Sequence, residues 1–149
     1  MYSRHLLDLM NALLLEGRLK FTMHTGVVSR IKNYNYEIVA ISSQANVFVP
    51  GQTFELNDTY CRDVYESAKT IAFTKHDNCQ GLQKHPLYKS LPIESYISSP
   101  IIVDNKVWGT INYSSMTLRD SPFSEEEFQF NEEAASTISK EIFGFDNEG

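Results

Sequence analysis

Several features that would assign the chain to a specialised class are scarce or missing. The 149 residues include two cysteines, Cys61 and Cys79, which are too few for a disulfide scaffold and give no sign of secretion. No C-x-x-C or H-x-x-x-H spacing occurs, so no metal site is expected. No apolar run reaches the length of about 18 residues that suggests a membrane-spanning helix, and none is expected.

Positive charge is also scarce. Lys and Arg number 13 against 19 Asp and Glu, and the formal net charge is −6. Because phosphate backbones are bound by basic patches, no nucleic acid is expected as a partner. The N-terminus lacks the features of a secretory signal, since Asp8 and Asn11 interrupt its apolar run and no small-residue cleavage site follows. We therefore expect a cytoplasmic protein.

The composition predicts one globular domain over residues 1–149, since 42% of residues are hydrophobic and 12% aromatic. The expected parts are an N-terminal helix (1–17), a sheet with a pocket (18–123) and a C-terminal helix (124–143). The first helix, over residues 3–16, carries a leucine-rich stripe and is predicted to end at Gly17 as a C′ glycine. The stripe is wider than packing on a sheet requires, which predicts a contact with a second subunit or neighbouring domain. Ser124 and Glu127 predict a capping box at the last helix, with a frayed acidic tail from Gly144 onward.

The most informative segment is residues 93–115, which predicts two strands joined at Asp104-Asn105. With a period of two, Tyr96, Ser98 and Pro100 share one face of the first strand, and Trp108, Thr110, Asn112 and Ser114 share one face of the second. The other face of the second strand carries Val107, Gly109, Ile111 and Tyr113. The polar and aromatic face borders either a cavity or solvent, and the pattern alone leaves both open.

The rest of the chain supplies shorter elements. Strands are predicted over residues 21–31 and 34–42 with Asn33 in the turn, a short extended piece over 53–56, a helix over about 59–68, a strand over 71–74, and an irregular segment over 76–91. Asn57 or Asp58 is the expected cap of the middle helix, which points Cys61 inward. This order predicts an α+β domain, with an antiparallel sheet, both terminal helices on one face, and a covered pocket on the other.

Five strings in this order resemble a GAF domain. They are FELNDTYC at 54–61, HPLY at 85–88, SYISSPIIV at 95–103, VWGTINYSS at 107–115, and FSEEEF at the start of the last helix. The resemblance covers nearly the whole chain. It implies a sensory or regulatory domain whose terminal helices frequently form dimers, and whose pocket binds a small molecule. It also implies an output module such as a histidine kinase or a nucleotide cyclase.

The resemblance to bilin-binding members implies pocket positions, residue by residue. His85 and Tyr88 match their His-x-x-Tyr, Tyr96 and Ser98 match the polar alternation, and Ser114 stands where a terminal histidine occurs. Together with the sequence pattern, it gives a set of candidate ligand-binding residues: Asp58, Tyr60, Cys61, His85, Tyr88, Tyr96, Ser98, Asn112 and Ser114. Each of these residues also has an interpretation as a purely structural residue, which for Asp58 is that of a helix cap.

Departures from the bilin-binding members reduce the number of ligand classes that are expected. Lys84 stands where several bilin lineages carry the attachment cysteine, and Cys61 is followed by Arg62, so no covalent bilin is expected. The string associated with cyclic-nucleotide binding is missing. The cofactor stays unknown. Three functions are open: a sensor that binds a ligand non-covalently, a dimerisation domain without ligand, and a thiol enzyme resembling free methionine sulfoxide reductase, for which Lys89 occupies the expected position of the catalytic cysteine.

Overall fold

The computed structural model describes residues 2–43, 48–74, 93–117, 119 and 121–148, with only the backbone described for 145–148. The elements, in order, are α1 (Arg4–Phe21), β1 (Thr25–Lys32), β2 (Asn35–Ser43), β3 (Thr53–Glu55), a 3₁₀ turn (Leu56–Asp58), α2 (Arg62–Ser67), β4 (Ile71–Phe73), β5 (Ser95–Val103), β6 (Lys106–Ser115) and α3 (Glu125–Glu148). The strands form one antiparallel sheet in the order β3-β2-β1-β6-β5-β4. The predicted α+β architecture is confirmed.

Two tight hairpins fix the register of the four central strands. Asn33 and Tyr34 join β1 to β2 with φ values of 54° and 59°, and Asp104 and Asn105 join β5 to β6 with 55° and 63°. Two consecutive positive φ angles are the geometry of a type I′ turn, whose twist matches that of the flanking strands. Both turns lie where the Asn and Asp residues of the sequence predict them.

Helices α1 and α3 pack on the same face of the sheet, as predicted. The larger hydrophobic core lies between them and the central strands, and it includes Leu6, Met10, Leu14, Phe21, Val28, Ile97, Ile101, Ile111, Tyr113, Ala134, Ala135 and Ile138. The capping box at the start of α3 is present: the Ser124 Oγ accepts from the Glu127 N–H at 3.1 Å, and the Glu127 Oε1 accepts from the Ser124 N–H at 3.0 Å. This cap fixes where α3 begins.

The prediction that Gly17 ends the first helix is wrong. Helix α1 continues to Phe21 and ends at Thr22, which adopts a left-handed conformation with φ 55°. Gly17 instead faces β6, where a Cβ atom would lie 2.0 Å from the hydroxyl of Tyr113. That hydroxyl donates a hydrogen bond to the Leu13 carbonyl at 3.1 Å. The glycine therefore provides space for a buried aromatic ring against the helix, and it does not terminate the helix.

Two other helix boundaries differ from prediction. The middle helix begins after Cys61, which is its N-cap without a side-chain cap bond, and Asn57 and Asp58 belong to the preceding 3₁₀ turn. The last helix continues through Glu148, past the expected end at 143 and the expected frayed tail. In the middle of the chain, the N–H and hydroxyl of Thr59 both donate to the Leu56 carbonyl, which closes the 3₁₀ turn, and α2 begins beyond it.

Trp108 lies on the opposite face from the one predicted. The β5–β6 register shifts between Ile101 and Ile102, so Ile101 pairs with Gly109 whereas Ile102 pairs with Val107. This β-bulge adds one residue to β6 and breaks the alternation of side chains at Trp108. The indole packs against the helix-side core, 6.2 Å from the ring of Tyr2, with the Arg30 guanidinium 5.3 Å from the ring centroid.

Candidate functional site

A cavity of about 80 Å³ lies on the face of the sheet opposite the terminal helices. Strands β1, β2, β5 and β6 form its floor, and the 3₁₀ turn with the start of α2 forms one wall. The described residues that line it are Thr25, Val27, Tyr36, Ile38, Phe48, Phe54, Asp58, Thr59, Tyr60, Cys61, Ile93, Tyr96, Asn112 and Ser114. A pocket that is mostly apolar with a few polar groups is the usual form of a small-molecule site.

The structure brings together six of the nine predicted pocket residues around this cavity. They are Asp58, Tyr60, Cys61, Tyr96, Asn112 and Ser114. Ser98 lies behind them, fully buried, with its Oγ 3.8 Å from the Cys61 Sγ. His85 and Tyr88 lie outside the described residues, as do Lys84, Lys89 and Cys79. The sequence alternation therefore placed the residues of β5 and β6 on the cavity side, up to the bulge at Trp108.

Cys61 is the centre of a buried hydrogen-bond network. Its Sγ receives bonds from the Thr110 hydroxyl and the Asn112 amide nitrogen, both at 3.4 Å. The Tyr96 hydroxyl lies 3.2 Å from the sulfur and donates to the Tyr60 carbonyl at 3.1 Å. One consistent arrangement of protons has the thiol donating to Tyr96 while its sulfur accepts from Thr110 and Asn112. These bonds connect the start of α2, which forms one wall of the cavity, to strands β5 and β6 of its floor.

The network continues across the floor to residues that sequence reasoning missed. Asn112 also donates to the Tyr36 hydroxyl at 3.3 Å, and Thr110 lies 2.7 Å from the Ser29 hydroxyl. Tyr36 and Val27 come from β2 and β1, whose contribution to the pocket was not predicted. The alternation within β1 and β2 does not by itself place their side chains at the cavity, because that also requires the pairing of β1 with β6. That pairing is not visible in the sequence.

Burial determines the protonation of this cluster. It raises the pKa of the Cys61 thiol, even though bonds from Thr110, Tyr96 and Ser98 oppose the shift. Burial also raises the pKa values of Tyr36 and Tyr96 well above their usual range, and the nearby Cys61 raises them further. Cys61 is therefore a neutral thiol at physiological pH. A nucleophilic cysteine needs the thiolate, so the environment of Cys61 does not favour thiol chemistry.

This protonation predicts alkaline destabilisation. Since the folded thiol has a raised pKa, the unfolded state loses its proton first, and the unfolding free energy decreases as pH rises above the usual thiol pKa of about 8.5. Tyr36 and Tyr96, whose pKa values are also raised in the folded state, lower the unfolding free energy further at higher pH. Chemical denaturation at pH 7.5, 8.5 and 9.5 measures the slope, with Cys61→Ala expected to give a shallower fall than the wild type between the last two. An unchanged slope in that variant would remove Cys61 as a contributor.

A second polar network lies on the helix side of the same strand. Ser99, next to Ser98, accepts from the buried Asn131 amide of α3 at 2.9 Å. The Ser99 hydroxyl also lies 2.8 Å from that of Thr70, which in turn donates to Glu132 at 2.8 Å. Because neighbouring residues of a strand point to opposite faces, β5 contacts the Cys61 network on one side and α3 on the other. A displacement of β5 would therefore change both the Cys61 network and the contact with α3.

Within the described ranges, no three His, Cys, Asp or Glu side chains are grouped so that they could hold a metal ion. No helix among the described elements combines the length and apolar character needed to span a membrane.

Comparisons with known proteins agree with the architecture. The chain resembles the blue-light absorbing form of the Thermosynechococcus elongatus PixJ GAF domain, with 20% identity, a TM-score of 0.75, and coverage of 95% of this chain and 87% of that one. It also resembles the chromophore-binding domain of the bacteriophytochrome RpBphP3 from R. palustris, with 16% identity, a TM-score of 0.75, and coverage of 97% and 57%. No curated protein sequence gives a significant match.

A third similar structure comes from a phosphotransferase. The GAF domain from Acinetobacter phosphoenolpyruvate-protein phosphotransferase matches with 13% identity, a TM-score of 0.67, and coverage of 95% of this chain and 94% of that one. At such low identities these likenesses establish the fold alone. The family assignment comes from the sequence, because the model of the GAF domain matches residues 4–142. The chain therefore belongs to the GAF domain family.

Proposed function

We propose that this GAF domain is a sensor that binds a small molecule reversibly and without a covalent bond in the cavity around Cys61. The supporting observation is the cavity itself, which is lined by aromatic and aliphatic side chains with a few polar groups. It lies on the sheet face that the terminal helices leave open. A ligand there contacts the central strands directly, and those strands contact the helices.

Signalling requires that the ligand favour one of two conformations. The proposed route is β5, because Ser98 belongs to the network around Cys61 and Ser99 bonds to Asn131 of α3. A ligand that displaces Cys61 or Tyr96 changes the position of Ser98, and with it the contact between Ser99 and the helix. Asn131 is fully buried, so its bonds to β5 are sensitive to small shifts of the strand.

The proposal extends to the surroundings of the domain. We place the whole chain in one cytoplasmic domain that forms a homodimer through its terminal helices. On α1, Leu15 is 52% exposed and Leu19 is 73% exposed, so apolar surface is present for such a contact. The output would be an attached module such as a histidine kinase or a nucleotide cyclase, and any catalysis would belong to that module.

A covalently bound bilin is not part of the proposal. In sequence, Lys84 stands at the position where the resemblance to bilin-binding members calls for an attachment cysteine. The cavity of about 80 Å³ is also several-fold smaller than the roughly 300–1,000 Å³ of typical ligand pockets. The buried ring of Tyr96 occupies space on the floor, which favours a compact ligand.

The proposal is tested by ligand binding in a pair of matched variants. A thermal-shift screen of neutral, cationic and anionic metabolites, followed by calorimetry, identifies ligands of the wild type. Val27→Phe fills the cavity from its floor and is expected to weaken a hit by roughly tenfold or more, since the ligand and the ring compete for one space. Val49→Phe makes the same change at a residue that is 58% exposed and does not line the cavity, and binding should persist.

The same screen also distinguishes the sensor from a second candidate function. Tyr36 and Tyr96 already fill much of the pocket face, which favours a domain that only dimerises. In that case no compound binds the wild type. If a compound binds and Val27→Phe leaves its affinity unchanged, the site lies elsewhere and the proposed cavity is wrong.

A further inference from the structure

The described residues that line the cavity include an acidic side chain but no basic one. Asp58 is their single carboxylate, and none of the 14 described lining residues is Lys, Arg or His. Asp58 is exposed and lies at the edge of the 3₁₀ turn, so its carboxylate is at the rim and not in the interior. No described cation forms an ion pair with it. Among the described lining residues, a ligand carboxylate or phosphate would therefore meet the Asp58 carboxylate and no basic side chain.

Aromatic rings make up much of the remaining surface. Tyr36, Phe48, Phe54, Tyr60 and Tyr96 all line the cavity. Two pairs of these rings are in contact: Phe48 and Phe54 are 5.5 Å apart with an edge-to-face angle of 87°, and Tyr60 and Tyr96 are 6.0 Å apart and tilted by 46°. The face of an aromatic ring is electron-rich and attracts a cation, so a cavity lined by five rings favours a cationic ligand.

From this lining we propose that the ligand class is a small organic cation, an alkylammonium compound whose charged head lies between the aromatic rings and the Asp58 carboxylate. This inference rests on the proposed function, because it names the ligand of the same cavity. The volume of about 80 Å³ suits a head of a few heavy atoms. The net charge of −6 of the chain favours the approach of a cation in the same direction.

The cavity also has few unengaged hydrogen-bonding groups for an uncharged polar ligand. Asn112 and Cys61 are already bonded to each other and to Tyr36, Thr110 and Tyr96. A ligand that needed them would have to break those bonds. An alkylammonium group instead uses the ring faces and the Asp58 carboxylate, and its contact with the Tyr96 ring is the one that would shift Ser98 in the proposed signalling route.

The experiment compares choline with its uncharged carbon isostere dimethylbutanol, by calorimetry in phosphate buffer, since amine buffers would compete. The two probes have the same shape and differ in charge. Choline is expected to bind the wild type about fivefold or more tightly than the isostere, from the cation–π contribution. Asp58→Asn should weaken choline by roughly fivefold and leave the isostere unchanged. Glu55→Gln removes the same charge from a residue outside the lining and should change neither.

Phe54→Leu gives a second, independent measure, because it keeps an apolar side chain and removes a ring. It should weaken choline more than the isostere. If the isostere binds as well as choline, or if only anionic compounds of the broader screen bind, the ammonium class is wrong while the ligand-binding function stands. If no neutral, cationic or anionic compound binds the wild type, both this inference and the proposed function fail.

Discussion

Gly109→Ala is expected to destabilise the fold by about 3 kcal/mol or more, the upper end of the cost of overpacking. A Cβ atom at this position would lie 1.8 Å from the carbonyl oxygen of Ser29 and 3.0 Å from the Cα of Arg30. Both are backbone atoms of β1, so no side chain can rotate away. The two central strands would have to separate, and Thr110, which contacts Cys61 from the next position, would move with them.

The measurement is urea denaturation at neutral pH, supported by a thermal midpoint that should fall by about 10 °C. Gly144→Ala is the control, because a Cβ atom there meets nothing within 4 Å. A Gly109→Ala protein with wild-type stability would mean that β1 and β6 are not as close as the structure places them.

Gly17→Ala should also destabilise, by about 1–3 kcal/mol, although alanine is the better helix former. In α1 the new methyl group would lie 2.0 Å from the hydroxyl and 2.2 Å from the adjoining ring carbon of Tyr113. Tyr113 is fully buried and its hydroxyl is bonded to Leu13, so the ring has little room to move. The clash therefore exceeds the gain of up to about 1 kcal/mol in helix propensity.

The sign of the effect is the test, and Gly144→Ala again supplies the comparison. Both glycines lie inside helices, yet only Gly17 faces a ring. Gly144→Ala should raise the unfolding free energy by up to about 1 kcal/mol, whereas Gly17→Ala should lower it. If Gly17→Ala were stabilising as well, Gly17 would be a helix residue without a packing role. Urea denaturation of the two variants side by side gives the answer.

Local signals in the sequence predicted much of the fold. The Asn and Asp residues of the turns located both hairpins, and Ser124 with Glu127 located the start of α3. These features depend on residues that are adjacent or a few positions apart. The alternation along β5 and β6 likewise separated Cys61's partners Tyr96 and Asn112 from the helix-side residues.

The errors came from contacts between distant segments. Gly17 has the sequence context of a helix end, and its packing against Tyr113 is set by the α1–β6 contact. Trp108 has the parity of a pocket residue, and a bulge that depends on the pairing with β5 moves it. Tyr36 was missed because its place in the cavity depends on which strand pairs with β1. The candidate site was therefore predictable where it was carried by one hairpin, and not where it needed the order of strands in the sheet.

The bulge at Trp108 also gives the molecule an internal optical reporter. Trp108 is the single tryptophan of the chain, and its indole lies on the helix side with Tyr2 and Arg30. It does not line the cavity, so a bound molecule cannot quench its fluorescence by direct contact there. A change in its emission on ligand addition would report a shift of the indole relative to Tyr2 and Arg30 on the helix side of the sheet. Fluorescence excited selectively at the indole thus reports changes on the helix side of the sheet separately from contact with the tyrosines that line the cavity.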